Sequence, residues 1–319
     1  MRRLFAGIAL SFLLTTVTLF AVPQADEFVQ FDLAGGYRID RLKWTSSFSL
    51  EPQNPCSFSS SSSDDLRIIS KLKWDSLTMY HILGSVRLVT CDRWYFRAVA
   101  DYGRIWHGRN SDRDFIKAKC CRPIEFIGSR ADANEGEAFD LSVGAGYYFR
   151  FLSGRGAVAP IAGYSHHEQH LRMRNLHVVL DTIDFMTGPV PGLHSNYRAQ
   201  WFGPWAGADF SFKMTCNLEL YGRGEFHWTL FRGTGHWNLR PEFVKDFHQH
   251  TRGYGQVYFL GINYDWTELW KVGILYNLQR FNAVHGRLRQ FFESGSADIK
   301  LNSVYWFSQS IMANVQYTY

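Results

Sequence analysis

Segments in which apolar and polar residues alternate with a period of two recur along this 319-residue chain. In the last segment Tyr305, Phe307, Ile311 and Val315 share one face, whereas mostly polar residues share the other. A period of two places successive side chains on opposite faces of a β-strand. The sequence predicts ten strands, at residues 27–44, 66–89, 94–107, 137–151, 158–172, 197–214, 218–231, 254–266, 269–284 and 303–319.

The connections between these predicted strands alternate between long and short. The short ones are at residues 90–92, 152–156, 215–217 and 265–268, and the long ones at 45–65, 116–136, 175–196, 232–253 and 286–302. Short periplasmic turns and long extracellular loops are typical of outer-membrane barrels, whereas a soluble sandwich has mixed loop lengths. We therefore predict an all-β fold, a ten-stranded antiparallel transmembrane β-barrel.

Residues 1–25 have the pattern of a cleaved signal peptide. Arg2 and Arg3 precede an apolar run, and small residues follow it. The remaining residues, 26–319, contain no linker and no second composition regime, so we expect one barrel domain. Export through a cleaved signal peptide and a barrel fold together predict that the protein is located in the cell outer membrane.

Composition narrows the range of partners. The formal net charge of +5 is not concentrated in a basic patch, so nucleic acid is not an expected partner. The aromatic fraction of 17% suits the interfacial girdles of a membrane barrel. The five cysteines include no Cys-x-x-Cys pair, and we expect no metal or organic cofactor. His166, Glu168 and His170 alternate on one strand, which leaves a bridging divalent metal as the alternative to a polar strand end.

Two carboxylates lie close together just beyond the third predicted strand, in Asp112-Arg113-Asp114. Residues i and i+2 of an extended strand share a face, and two close carboxyl groups share a proton because their charges repel. His236 follows the seventh strand, which ends on the same side of the barrel. A carboxylate pair facing a histidine can polarise a water molecule for attack on a peptide carbonyl. The alternative is an ordinary acidic pair in a loop.

Several short motifs carry a family resemblance. They are LKW at residues 72–74, Asp112-x-Asp114, PIAGY at 160–164, YRAQWFGPWAG at 197–207 and the last strand to Tyr319. On these motifs the chain resembles the omptins, outer-membrane aspartyl-type endopeptidases with a ten-stranded barrel. The resemblance implies that Asp112 and Asp114 form a catalytic carboxylate dyad and that His236 is the base for water.

The chain departs from the omptin pattern beside His236. That family pairs its Asp-x-Asp with an Asp-x-His, and Thr234 stands where the aspartate is expected. A threonine hydroxyl can hold a histidine tautomer but supplies no charge. Asp246 and Glu242, farther along the same loop, are the candidates to replace the missing carboxylate.

The resemblance also implies partners. Omptin clefts use acidic residues to select basic side chains, and Asp40 falls close to one such position, which implies a peptide or protein substrate with basic residues. The alternative for Asp40 is an interior charge paired with Arg38. Omptins bind lipopolysaccharide as well, but the matching stretch here keeps Tyr164 and lacks the arginine. Outer-membrane lipid is the expected partner, with lipopolysaccharide as an option.

A second class of function stays open on the same scaffold. Because Thr234 leaves the catalytic set incomplete, the barrel is alternatively a non-catalytic surface protein with a structural or adhesive role, or a small-solute pore. Ten strands leave little free lumen once side chains fill it, which disfavours a general porin.

Overall fold

The computed structural model describes residues 27–49, 67–117 and 122–319. Over these segments the chain forms twelve β-strands. Across the described part of the chain we find no helix with the length and apolar character needed to cross a membrane. The predicted signal peptide and three of the cysteines, Cys56, Cys120 and Cys121, lie outside the described residues.

The strands form one closed antiparallel ring. They are β1 (Phe28–Ser49), β2 (Arg67–Val89), β3 (Trp94–Lys117), β4 (Ile124–Tyr147), β5 (Phe149–Phe151), β6 (Gly156–Asp181), β7 (Gly188–Val190), β8 (Asn196–Lys213), β9 (Leu218–His236), β10 (Lys245–Asp265), β11 (Trp270–Phe292) and β12 (Gly295–Thr318). The long strands pair with their chain neighbours, and β1 pairs with β12 to close the ring. The short β5 and β7 pair only with β6, so ten strands make the wall. The predicted ten-stranded barrel is confirmed.

The predicted faces of the last strand are also confirmed. Trp306, Ser308 and Ser310 are buried inside the ring, whereas Ile311 and Val315 are exposed on its outer wall. The alternation in sequence was a reliable guide here because one face meets lipid and the other a packed interior, so each side chain has only one acceptable side.

The strands continue farther on the extracellular side than predicted. β3 extends to Lys117, and β11 and β12 approach each other to leave only residues 293–294 between them. The predicted long loop at 286–302 is therefore mostly a hairpin. Its residues stand above the membrane, where both faces of a strand tolerate polar side chains, so no apolar pattern marks the strand in sequence.

The membrane-facing belt can be located on β3. Phe96, Tyr102 and Trp106 are exposed on the outer wall. From Trp94 to Trp106 the strand climbs roughly 30 Å at the usual rise and tilt, which matches the apolar band of an outer-membrane barrel. Residues beyond Trp106 lie on the extracellular side of this band.

An irregularity just above the belt changes the face that β3 presents inward. Ile105 and Asn110 are both buried, although their odd spacing would put them on opposite faces of a regular strand. The pairing of β2 with β3 shifts register on both sides of Thr78, and Ser76 has a φ of 53°. Such bulges re-aim side chains next to functional sites. Here the bulge turns the even-numbered residues beyond Gly108 toward the interior.

Packed side chains fill the centre of the barrel. Trp201, Phe281 and Trp306 are fully buried, and the rings of Phe281 and Trp306 stack with centroids 4.9 Å apart. Arg38 lies against Trp306, 5.7 Å from the ring centroid. Ten strands enclose a lumen that side chains of this size can close.

This packing predicts the behaviour of the protein in a planar bilayer. We expect no stable single-channel conductance from the refolded barrel, because the fully buried side chains of Trp201, Phe281 and Trp306 pack in its centre. A Trp201→Ala/Phe281→Ala variant serves as the positive comparison, since it removes two of the three blocking rings. Stepwise channel opening by the wild-type protein would support the pore interpretation instead.

Candidate active site

A cleft opens at the extracellular mouth of the barrel, above the packed centre. Its volume is about 380 Å³. The walls come from the outer ends of β1, β2, β3, β4, β6, β11 and β12 together with the connections that precede β8 and β10. Short turns join the strands at the periplasmic end of the barrel. The cleft lies at the opposite end, which faces the cell exterior.

Asp112 and Asp114 lie together on one wall of this cleft. Asp112 stands about 15 Å beyond Trp106 along the barrel axis, so the pair is clear of the membrane belt. Asp114 is directly opposite Ser70 on β2, whose hydroxyl donates a hydrogen bond to its carboxylate. The structure thus brings together the two predicted dyad residues.

The surroundings of the pair favour a shared proton. Burial and the neighbouring charge of Asp114 raise the pKa of Asp112 to about 7, from an ordinary value near 4. Burial also raises the pKa of Asp114. The guanidinium of Arg240 opposes both shifts because its positive charge favours the ionised carboxylates. Asp112 therefore keeps its proton at pH values below about 7, well above the range in which an ordinary aspartate is protonated.

One oxygen of the pair has no hydrogen-bond partner among the described residues. Asp112 Oδ1 is buried and accepts no hydrogen bond from any described residue. A hydrogen bond from the backbone N–H of Arg113 stabilises the ionised form of this carboxyl group. A buried oxygen without a donor is costly unless a water molecule or ligand satisfies it. Because Oδ1 is buried and has no donor, the ionised form of Asp112 is disfavoured, in line with its raised pKa.

Stacked aromatic rings form the floor below the pair. Trp74 and Tyr197 stack with centroids 4.8 Å apart, and Trp44 and Phe247 pack against Tyr197. Tyr197 donates a hydrogen bond from its hydroxyl to Gln249 at 2.6 Å. All four rings of this layer are buried.

His236 does not face the dyad. It lies at the end of β9 on the outer side of the wall, half exposed, and the inward positions beside it are Gly233 and Gly235. Its Nδ1 is 2.9 Å from Asp246 Oδ1. Asp246 thus gives His236 the carboxylate partner that Thr234 cannot supply. No histidine of the described segments lines the cleft. The geometry gives no support to His236 as a base acting at the dyad.

Asp40 is not placed to bind a substrate. It is fully buried below the cleft, and its carboxylate accepts hydrogen bonds from Arg38, Gln169 and Trp306. A fully buried carboxylate that already bonds these donors is out of reach of an incoming basic side chain. The alternative interpretation, an interior charge paired with Arg38, describes what the structure shows.

The alternating His166, Glu168 and His170 lie on the outer wall. Glu168 accepts hydrogen bonds from both histidines and from Arg198 and Gln200. Its oxygens are thus used by protein donors. Among the described residues no group of three or more His, Cys, Asp or Glu side chains has the geometry to hold a metal ion.

Reasoning from sequence missed two residues that shape the dyad. Arg240 reaches the cleft from the connection between β9 and β10, and Ser70 meets Asp114 across a strand pair. Ser70 would follow from continuing the register of the second and third strands past residue 107, where the predicted third strand ends. Arg240 has no such signal, because the conformation of its connection is not encoded in a periodic pattern.

Comparison with known proteins agrees with this architecture. A family model described as "Pom: Protochlamydia outer membrane protein" matches residues 32–319. The comparison with curated protein sequences gave no match. Similarity to proteins of known activity therefore has to be sought in the fold.

The outer membrane protease OmpT from Escherichia coli has a similar solved structure. The TM-score is 0.72 at 14% sequence identity, over 94% of this chain and 99% of that chain. At this identity the likeness shows the fold alone, and the predicted resemblance to the omptin barrel is confirmed. OprG from Pseudomonas aeruginosa also matches, with a TM-score of 0.32 and 9% identity over 93% of this chain and 99% of that chain.

Proposed function

We propose that this chain, which belongs to the Protochlamydia outer membrane protein family, is an outer-membrane endopeptidase whose catalytic centre is the Asp112–Asp114 dyad in the extracellular cleft. The observation that carries the proposal is the pair itself. Two carboxyl groups on one wall of a cleft are buried enough to raise the pKa of Asp112 to about 7. Perturbed carboxyl pairs in clefts are typical of catalytic sites.

The dyad supplies an acid and a base at the same pH. The ionised carboxylate takes a proton from a bound water molecule, whose oxygen attacks the peptide carbonyl carbon. The protonated carboxyl group donates a hydrogen bond to the carbonyl oxygen as negative charge develops there. When the C–N bond breaks, a proton moves to the leaving amine, and the pair returns to its singly protonated form. No metal ion or organic cofactor enters this scheme.

His236 has a different place in the proposal. Its pair with Asp246 is half exposed on the outer side of β9, so we assign it no proton-transfer step. The single barrel domain over residues 26–319 and the export signal over 1–25 remain part of the proposal. So does contact of the outer wall with membrane lipid, including lipopolysaccharide.

The test is peptide cleavage by the protein refolded in detergent or in lipid vesicles, against a peptide library, with and without added lipopolysaccharide. We expect Asp112→Asn and Asp114→Asn each to lower the rate by about 10²- to 10⁴-fold, the usual contribution of an acid–base group. His236→Ala should keep most of the activity. The matched control is Asp132→Asn. Asp132 lies on the outer wall of neighbouring β4, and its carboxylate accepts a hydrogen bond from Asn175.

Three results would contradict the proposal. Well-folded protein that cleaves no peptide under any of these conditions would leave a binding or structural role for the cleft. Full activity in both dyad variants would place the chemistry elsewhere. Loss of activity in His236→Ala together with normal folding would restore the histidine as the base.

A further inference from the structure

Apolar side chains dominate the walls of the cleft. Phe48, Ile68, Phe126, Leu176, Leu239 and Phe243 line it from five different parts of the chain. Loop residues such as Leu239 and Phe243 are partly open to solvent rather than packed in a core. Ligand sites of this kind gain affinity by burying apolar groups, and their few polar residues orient the ligand.

The described part of the cleft contains no acidic residue besides the dyad. Asp112 and Asp114 are its only carboxylates, and Asp40 is buried beneath it. The singly protonated dyad of the proposed function carries one negative charge, and the reaction uses that charge to take a proton from water. Among the described residues, the cleft thus has no acidic side chain outside the dyad that could select a basic side chain.

Arg240 is the cationic residue of the described cleft wall. Its nearest carboxylate partner is Glu242, 3.4 Å away, and both side chains are about half exposed. Exposed pairs of this kind hold each other weakly. The guanidinium is therefore available to a carboxylate of a ligand in the cleft, which it matches in planar, two-pronged geometry.

We propose that the substrate is a peptide segment with bulky apolar side chains at the scissile bond and an acidic residue that pairs with Arg240, an inference that rests on the proposed function. This specificity is opposite in charge to the basic preference that the omptin resemblance implies. The cleft walls take the apolar side chains, and Arg240 fixes the direction and register of the segment.

The test measures binding separately from cleavage. Asp112→Asn protein in lipid nanodiscs is titrated with fluorescent nonapeptides that differ only at the centre, Leu-Phe or Arg-Lys, and at one flank, Glu or Lys. We expect the Leu-Phe peptide with a Glu flank to bind at least tenfold more tightly than the Arg-Lys peptide. Phe243→Ser in the same background should weaken binding of the Leu-Phe peptide.

A charge reversal tests the role of Arg240. Arg240→Glu should lower affinity for the Glu-flanked peptide about tenfold and raise affinity for the Lys-flanked one. Arg289→Glu is the matched control, because Arg289 pairs with Asp298 outside the cleft lining. Equal flank preference in Arg240→Glu and Arg289→Glu would show that Arg240 does not read the substrate.

The outcomes separate this inference from the proposed function. Equal or tighter binding of the Arg-Lys peptide overturns the inference, whether or not the wild-type protein cleaves it. Selective binding of the Leu-Phe peptide without cleavage by the wild-type protein supports the inference and overturns the catalytic proposal. No binding of any peptide overturns the inference, and cleavage assays then decide the proposed function alone.

Discussion

Peptide cleavage should fall about tenfold for each pH unit above about 7. Asp112 has a raised pKa, so it keeps its proton at lower pH and loses it as the pH rises through this value. Above it both carboxyl groups are ionised and no acid remains to protonate the leaving amine. On the acid side the rate should fall again once both groups are protonated. That decline begins at a higher pH than for an ordinary aspartate because the pKa of Asp114 is raised.

A charge variant shifts this profile in a defined direction. Arg240→Ala removes a positive charge that lowers the pKa of both carboxyl groups. We expect both limbs of the kcat/KM profile to move to higher pH, whereas Arg289→Ala should leave them in place. A profile for the wild-type protein that stays flat between pH 6 and 9 would be incompatible with a proton-sharing dyad.

Arg38→Met should destabilise the barrel by about 3–5 kcal/mol, the usual cost of removing one partner from a buried charge network. The guanidinium is fully buried and donates hydrogen bonds to Asp40 at 2.9 Å and to Asp140 at 2.7 Å, with Asp101 at 3.4 Å. Without it Asp40 has no cationic partner among the described residues, and Asp101 and Asp140 keep only the imidazoles of His81 and His167 as partners that can carry a positive charge. The methionine replaces much of the volume of the side chain but none of its donors.

This change is measured by urea unfolding of the refolded protein and by its heat-modifiable migration on gels. Arg289→Met is the matched control, since Arg289 and Asp298 form a pair on the protein surface, and its unfolding midpoint should stay near that of the wild-type protein. An unchanged midpoint for Arg38→Met would show that the interior carboxyl groups take up protons at little cost and that Arg38 does not hold the barrel centre together.

The sequence predicted the membrane part of the fold well because lipid imposes a strict alternation there. Ile311 and Val315 face outward and Trp306 inward, as their spacing requires. The short turns were predicted for the same reason, since the apolar pattern stops abruptly on the periplasmic side. Outside the membrane that constraint disappears, and the predicted strands therefore ended too early on the extracellular side.

The candidate site was only partly predictable. The i and i+2 spacing of Asp112 and Asp114 fixes that they share a face, but the face depends on the bulge above Trp106. An uninterrupted period of two from Tyr102 would turn both carboxylates outward. For His236 the position in sequence correctly predicts the extracellular end of the barrel. It does not predict the face of the strand, and the side chain lies on the outer side.

The central claim is that the cleft holds a carboxyl pair that shares one proton, and the infrared spectrum tests it without a substrate. The difference between wild-type and Asp112→Asn protein should show the C=O stretch of a protonated carboxyl group at pH 6 that disappears as the pH rises through about 7. A difference spectrum with only ionised carboxylate from pH 5 upward would contradict the account, because the pair would then hold no proton to give.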